Sequence, residues 1–373
     1  MKTIGIIIAA VFLFVLQRIV YEKLWDKNLK VSVSFTQKNI TEGEEGEIVE
    51  VIENRKYLPV PVLKVKFQTS KNLEFTDDIG SKTTDQYYRN DVFQIGGGEK
   101  ITRKLTFKGK LRGYYHIKNI DLLGSDLFFT SEYIKSMTTN CYLYVYPKVF
   151  DSGEFQLSLQ KLNGEILVKR HLLEDPFEYR GIREYQPFDD IRSVNWKATA
   201  RTGALKVNQK NYTAMQAIRI FLNIEDRDVW KKTKEVEASM QIVMGLASYF
   251  LAQGIKVSCY ANGKDIITGE PVNIDGGAGI GQQDAIGKAL ARIDTEKEAW
   301  NFKELFEKKI LDERDGLFTL FVSPNGYKDF TELLKLCQRK NIEYAWFYPH
   351  AYAERPEVPK ELQGHVQFVY LKQ

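Results

Sequence analysis

From Thr3 to Leu16 the chain reads TIGIIIAAVFLFVL, apolar or small at every position. Carried on to Tyr21 the run reaches about 19 residues, near the roughly 20 that an α-helix needs to cross a bilayer. Gln17-Arg18-Ile19-Val20-Tyr21 follows where a signal peptide would carry small residues for cleavage. The pattern therefore predicts an uncleaved transmembrane anchor over 3–21. From Leu29 the period drops to two. Leu29, Val31, Val33 and Phe35 alternate with Lys30, Ser32 and Ser34, the mark of a half-buried strand. Similar runs recur as far as CYLYVYP at 141–147, with turn signals about every ten residues, which predicts seven or eight strands and an all-β, immunoglobulin-like sandwich over 28–148. Gly96–Gly98 with Glu99 reads as a hairpin between two of those strands. Residues 149–209 read as a linker around one dense polar segment. Beyond it the period changes again. A buried strand (215–225), a long amphipathic helix (229–254) stopped by Gly254, and a strand (255–261) are followed by further helix and strand patterns to 371. Such alternation predicts a doubly wound, mostly parallel α/β domain over 210–373.

Charge narrows the partners. Lys and Arg number 53 against 49 Asp and Glu, a net of +4 with no basic stripe, so nucleic acid is not an expected partner. Cys141, Cys259 and Cys337 are far apart and the four histidines are scattered, which argues against a zinc cluster and fits a reducing compartment. Arg18, Lys23, Lys27 and Lys30 lie on the C-terminal side of the anchor and only Lys2 on the other. The positive-inside rule then places a single-pass protein with its bulk in the cytoplasm. Gly276, Gly277, Gly279 and Gly281 match neither GxGxxG nor a P-loop, so that stretch reads as a flexible loop before a helix. No cofactor is expected.

The dense segment, YRGIREYQPFDDIRSVNWKATARTG, spans 179–203. Its acids and arginines allow three readings: a structural clamp, a recognition surface, or a hydrolytic site using Asp189 and Asp190. Adjacent carboxylates on one chain point in different directions, which disfavours an acid/base pair. The clamp reading is the more economical. Asp189 or Asp190 caps a short helix that Gly203 ends. Ile191, Val194 and Ala198 share its inward face, Arg192 stacks on Trp196 at i, i+4, and Arg183, Arg192 and Arg201 face Glu184, Asp189 and Asp190. No catalytic residue is assigned.

Arg183, Tyr185, Pro187, Asp189, Asp190, Arg192, Trp196, Ala198, Ala200 and Arg201 together form a pattern that resembles the signature of the domain-of-unknown-function 58 family of prokaryotes. The stretches RGYYHIKNIDLLGSDLFF and NRKYLPVPVL are similar to other segments of that family. Phe188 and Phe129 stand where the family usually has glycine. The resemblance implies a membrane-anchored protein, usually with two N-terminal helices, a β-sandwich-like region and a von Willebrand factor A-like α/β domain. It also implies a MoxR-type AAA+ ATPase as partner, in assembly, maturation or envelope processes. Domains of the von Willebrand type often bind a divalent cation through Asp-x-Ser-x-Ser after the first strand. Here Asn223, Glu225 and Arg227 occupy those positions, and an arginine opposes a cation. The expectation is a non-enzymatic interaction protein without a metal. The alternatives are a divalent-metal-dependent, adhesion-type binder with a rearranged site using Glu225, Asp226 and Asp228, and the Asp189/Asp190 hydrolase.

Overall fold

A computed structural model describes residues 2–371 apart from 77–80, 84–85, 173, 188, 213–216, 311–316 and 352–353. The chain forms two compact units, Met1–Lys148 with Leu290–Ile293, and Val149–Ala289 with Asp294–Gln373.

In the first unit the apolar run forms α1 (Lys2–Leu24), long and apolar enough over Thr3–Leu24 to cross a membrane. Its side chains are exposed through Leu16, but Tyr21 and then Trp25 are buried in the core of the strands that follow. The Tyr21 hydroxyl donates to the Pro59 carbonyl at 3.0 Å. The Trp25 ring lies so close to Gly124 that a Cβ there would come within 2.3 Å of it. The last turn of the expected anchor thus belongs to the sandwich, and the helix enters it without a flexible link.

The strands are β1 (Leu29–Phe35), β2 (Asn39–Thr41), β3 (Glu45–Asn54), β4 (Val60–Ser70), β5 (Leu73–Phe75), β6 (Ser81–Thr83), β7 (Gln86–Ile95), β8 (Lys100–Gly109), β9 (Gly113–Ser125) and β10 (Glu132–Tyr146). They make a four-stranded sheet, β1-β3-β8-β5, and a six-stranded sheet, β2-β10-β9-β4-β7-β6. One core takes its residues from both, among them Ile48, Ile52 and Phe107 from the first and Leu63, Val65, Ile117 and Leu143 from the second. Pairing is antiparallel except between β2 and β10. The Gly96–Gly98 turn is not a hairpin, because β7 and β8 lie in different sheets and the turn carries the chain from one to the other. It is pinned by Asn54, whose amide donates to the carbonyls of Gly96 at 2.8 Å and Leu58 at 2.9 Å. The inward face of β3 also carries Glu50, buried near Asp91, which takes hydrogen bonds from Arg89 at 2.7 Å and Arg103 at 2.8 Å. Burial first, and Asp91 next, push the Glu50 carboxyl up to about 8.

In the second unit the stretch expected as a linker holds α2 (Gly153–Leu172), β11 (Glu174–Glu184), α3 (Trp196–Thr202) and β12 (Lys206–Tyr212). Phe155 of α2 is buried, its ring 5.8 Å from that of Phe347, so the start of this helix is part of the core. Then come β13 (Ala217–Leu222), α4 (Thr233–Ala252), β14 (Lys256–Asp265), β15 (Pro271–Gly277), α5 (Gly279–Ala291), β16 (Ile293–Asp294), α6 (Phe302–Ile310), β17 (Phe318–Val322), α7 (Lys328–Arg339), β18 (Tyr344–His350) and β19 (Val366–Tyr370). The main sheet runs β15-β14-β13-β17-β18-β19 and is parallel from β14 to β19. Its strands read as continuous apolar runs because both faces are covered. Gly276 and Gly277 are not loop but part of the antiparallel edge strand β15, which pairs with β14. A Cβ on Gly277 would meet Gln282, which is held by the Val257 and Asp275 carbonyls.

Candidate functional site

Two places in the second unit gather polar side chains. The first is the signature segment between β11 and β12, which pair antiparallel with Arg183 opposite Val207. The Arg183 fork holds Asp189 through two bonds of 2.6 Å, Nη1 to Oδ2 and Nη2 to Oδ1. The Gln186 N–H adds a third at 2.7 Å. The guanidinium first, and that N–H second, hold the Asp189 carboxyl below the usual range. Glu184 pairs across the strands with Lys206 at 2.9 Å rather than with an arginine. Asp190 accepts the Arg192 N–H at 2.9 Å and caps a single 3-10 turn, Ile191–Ser193.

The expected single helix from the acids to Gly203 does not form. Val194 leaves the turn to bridge with Val207, and its buried side chain ties the segment to β12. Asn195 then caps a second start by accepting the Ala198 N–H at 2.9 Å, and Gly203, at φ 72°, ends α3. The inward face fails with it, because Ile191 is 68% exposed. Trp196 is 66% exposed and makes no stacking contact with Arg192 among the described residues. Arg192 and Arg201 are exposed and form no ion pair with a described residue. The Tyr185 N–H donates to the Leu205 carbonyl at 3.0 Å, closing the turn. Phe188 lies outside the described residues.

The second place is the carboxyl edge of the main sheet. The connections run from β13 to one side through β14 and to the other through β17, so the end of β13 is a topological switch point, where open α/β sheets place ligands. Asn223 is buried there. Its carbonyl oxygen accepts from the Asn262 amide at 2.9 Å and the Glu225 N–H at 3.0 Å, while its own amide donates to Ser323 at 3.3 Å. Asn262 also accepts the Ile224 N–H at 2.9 Å. Asn325 donates to the Glu225 carbonyl at 2.7 Å and accepts from Lys232 at 2.6 Å.

Arg227 sits among these groups between two carboxylates. It donates to Glu225 from Nε at 3.0 Å and Nη2 at 2.8 Å, and to Asp329 from Nη1 at 2.9 Å. It lies 5.3 Å over the Tyr327 ring, whose hydroxyl accepts the Arg227 N–H at 2.8 Å. Burial pushes that hydroxyl up to about 12. Asp228 faces Lys232 at 2.9 Å, which lowers its carboxyl. Among the described residues no three His, Cys, Asp or Glu side chains converge as a metal site. A cavity of about 290 Å³ opens beside Arg227, lined in part by Glu225, Phe302, Phe306, Asp329 and Leu333.

Asp226 shapes the loop that follows. Its carboxylate accepts the N–H groups of Asp228 at 3.1 Å and Lys232 at 2.7 Å. These bonds hold the chain in a loop as far as Lys232, so α4 starts at Thr233 and not at Val229. Val229 and Trp230, expected inside the helix, stand 92% and 88% exposed. Sequence patterns do not single out Asn262, Ser323, Asn325, Tyr327 and Asp329. The available signal was small: an abrupt polar residue where an apolar strand ends, as in FTLFVSPN.

No curated protein matches the chain. Among solved structures it is similar to a non-cellulosomal cohesin from the archaeon Archaeoglobus fulgidus, at 16% identity over 31% of this chain and 91% of that one, with a TM-score of 0.23. It is also similar to a CARDB domain from Pyrococcus furiosus, at 13% identity over 32% and 90%, with a TM-score of 0.21. A cohesin of Acetivibrio cellulolyticus scaffoldin B matches at 10% identity over 31% and 98%, with a TM-score of 0.24. Residues 181–274, which hold the whole clamp and the Asn223–Arg227 strand end, match the family described as Protein of unknown function DUF58, and that match supports the family the signature residues resemble.

Proposed function

We infer that the chain is a membrane-anchored, non-enzymatic interaction protein that binds a protein partner at the carboxyl edge of its α/β sheet. The observation that carries this is the loop after β13. Side chains from several strand ends fix it, yet it leaves Val229 and Trp230 almost wholly exposed. A rigid scaffold that presents a bare tryptophan has paid its ordering cost before binding, and tryptophan is among the residues that most often dominate interface energy. The unit is of the von Willebrand factor A-like kind in this reading, with the Arg227 guanidinium lying between the carboxylates where such domains often hold a cation. The partner is a MoxR-type AAA+ ATPase, as the family resemblance implies. The anchor crosses the cell membrane once, and the cationic flank at Arg18, Lys23, Lys27 and Lys30 sets both units in the cytoplasm.

The test is affinity purification of the full chain from membranes. A MoxR-type AAA+ ATPase is expected to co-purify with it and to be lost with Trp230→Ala. Its absence from the unaltered chain would contradict the reading. Reporter fusions after residue 30 and at residue 373 are both expected to report cytoplasm.

A further inference from the structure

Beside α1, the turn between β9 and β10 exposes three apolar side chains in a row, Leu127, Phe128 and Phe129, the last two 59% and 66% exposed. The turn is built rather than loose. Asp126, fully buried, accepts from the Thr130 N–H at 2.8 Å and the Thr130 hydroxyl at 2.6 Å, and its carbonyl takes the Phe129 N–H at 3.2 Å. Phe129 holds φ at 55°, a left-handed conformation that costs a bulky residue strain. The fold thus holds a phenylalanine in a conformation that disfavours it, at a place where water gains nothing from it.

Its neighbour explains the position. Phe128 lies with its ring 5.7 Å from that of Phe14 of α1. Gln17 reaches Asp126 at 3.5 Å, and the Tyr133 hydroxyl donates to the Arg18 carbonyl at 3.2 Å. The tip is therefore fixed against the helix about one turn to the apolar side of Arg18, or roughly 6 Å at 1.5 Å per residue. That is the depth at which apolar groups of interfacial segments sit below the headgroups. We propose that Leu127, Phe128 and Phe129 form a second membrane contact, a hairpin tip that inserts among the acyl chains next to α1 and fixes the tilt of the sandwich on the bilayer. This rests on the reading of α1 as a membrane span.

The test uses the full chain in phosphatidylcholine vesicles, with Phe128→Cys carrying an environment-sensitive fluorophore and Phe12→Cys as the companion site in α1. Cys141, Cys259 and Cys337 are all buried, which favours labelling of the added thiol. Leu127→Cys repeats the measurement should Phe128→Cys not fold. Blue-shifted emission at both sites, quenched by a lipid with a nitroxide high on its acyl chain, is the expected result. Quenching at Phe12→Cys without quenching at the tip overturns this proposal and leaves the span standing. A blue shift at the tip that the nitroxide lipid does not quench means a protein surface covers it, which also overturns the proposal. Absence of quenching at both sites overturns the span itself and the tip with it.

Discussion

The signature segment and the β13 strand end are both locked polar scaffolds that leave a tryptophan in water, but they are locked in opposite ways. In the signature segment the bonds are local: Arg183 to Asp189 six residues on, Asp190 to Arg192, Asn195 to Ala198. At the strand end they join distant parts of the chain: Asn223 to Ser323 and Asn262, Arg227 to Asp329, Lys232 to Asn325. The first can order as soon as its own strands pair. The second exists only when β13, β14 and β17 and the connections after them are in place, so it couples the loop after β13 to the stability of the sheet.

That difference sets the scale of what breaks each. The largest effect is expected at Asn262, buried and bonded to Asn223, to the Ile224 N–H and to the Trp300 carbonyl. Asn262→Ala leaves several buried groups alone at about 1–3 kcal/mol each. A loss of roughly 3 kcal/mol or more in urea unfolding is expected, followed through the buried Trp346. At the local site the corresponding change is smaller. Asn195→Ala removes one N-cap and the 2.7 Å bond from its amide to Asn208 of β12, and is expected to cost about 1–2 kcal/mol, with faster amide exchange in α3 and where it meets β12. Arg227→Ala breaks two solvent-facing ion pairs and is expected to cost less than about 1 kcal/mol. It also leaves Glu225 and Asp329 without the cation between them. Calorimetric titration with Mg²⁺ is expected to be flat for the unaltered chain, and a saturable heat there would favour a metal-dependent binder instead.

The smallest effect depends on acid. Asp189 has its carboxyl lowered in the folded chain, so its contribution is present above the unfolded value near 3.9 and fades as pH falls through the folded one. Proteolysis of the 183–203 segment is expected to rise on acidification, and Asp189→Asn is expected to show the faster rate at neutral pH already.

Legibility follows the same line. The period-two runs gave the sandwich strands, and the apolar runs with intervening amphipathic patterns placed the main-sheet strands closely, because local periodicity reports which faces are buried. The Arg183–Asp189 clamp was visible for the same reason, both partners lying within seven residues. Two expected helix starts shift, one through a contact with another strand and one through a side-chain bond six residues away that hydrophobic periodicity does not report. Val194 left the expected helix because β12 offered Val207 as a bridge partner. Val229 and Trp230 stayed out of α4 because Asp226 holds Lys232 in the loop. The Gly96–Gly98 turn read as a hairpin because nothing nearby says that its two strands belong to different sheets. Asn262, Ser323 and Asp329 gave almost no signal, since their roles depend on which strands lie side by side.

The proposed use of Trp230 rather than Trp196 by a partner is open to direct measurement. The most direct measurement is the affinity of a purified MoxR-type AAA+ ATPase for the full chain in lipid nanodiscs, compared among the unaltered chain, Trp230→Ala and Trp196→Ala. A buried interface tryptophan is worth 2 kcal/mol or more, about thirtyfold in Kd. A loss of that size is expected for Trp230→Ala and a smaller one for Trp196→Ala, with the unfolding of both variants unchanged. Equal affinity for the unaltered chain and Trp230→Ala would contradict it.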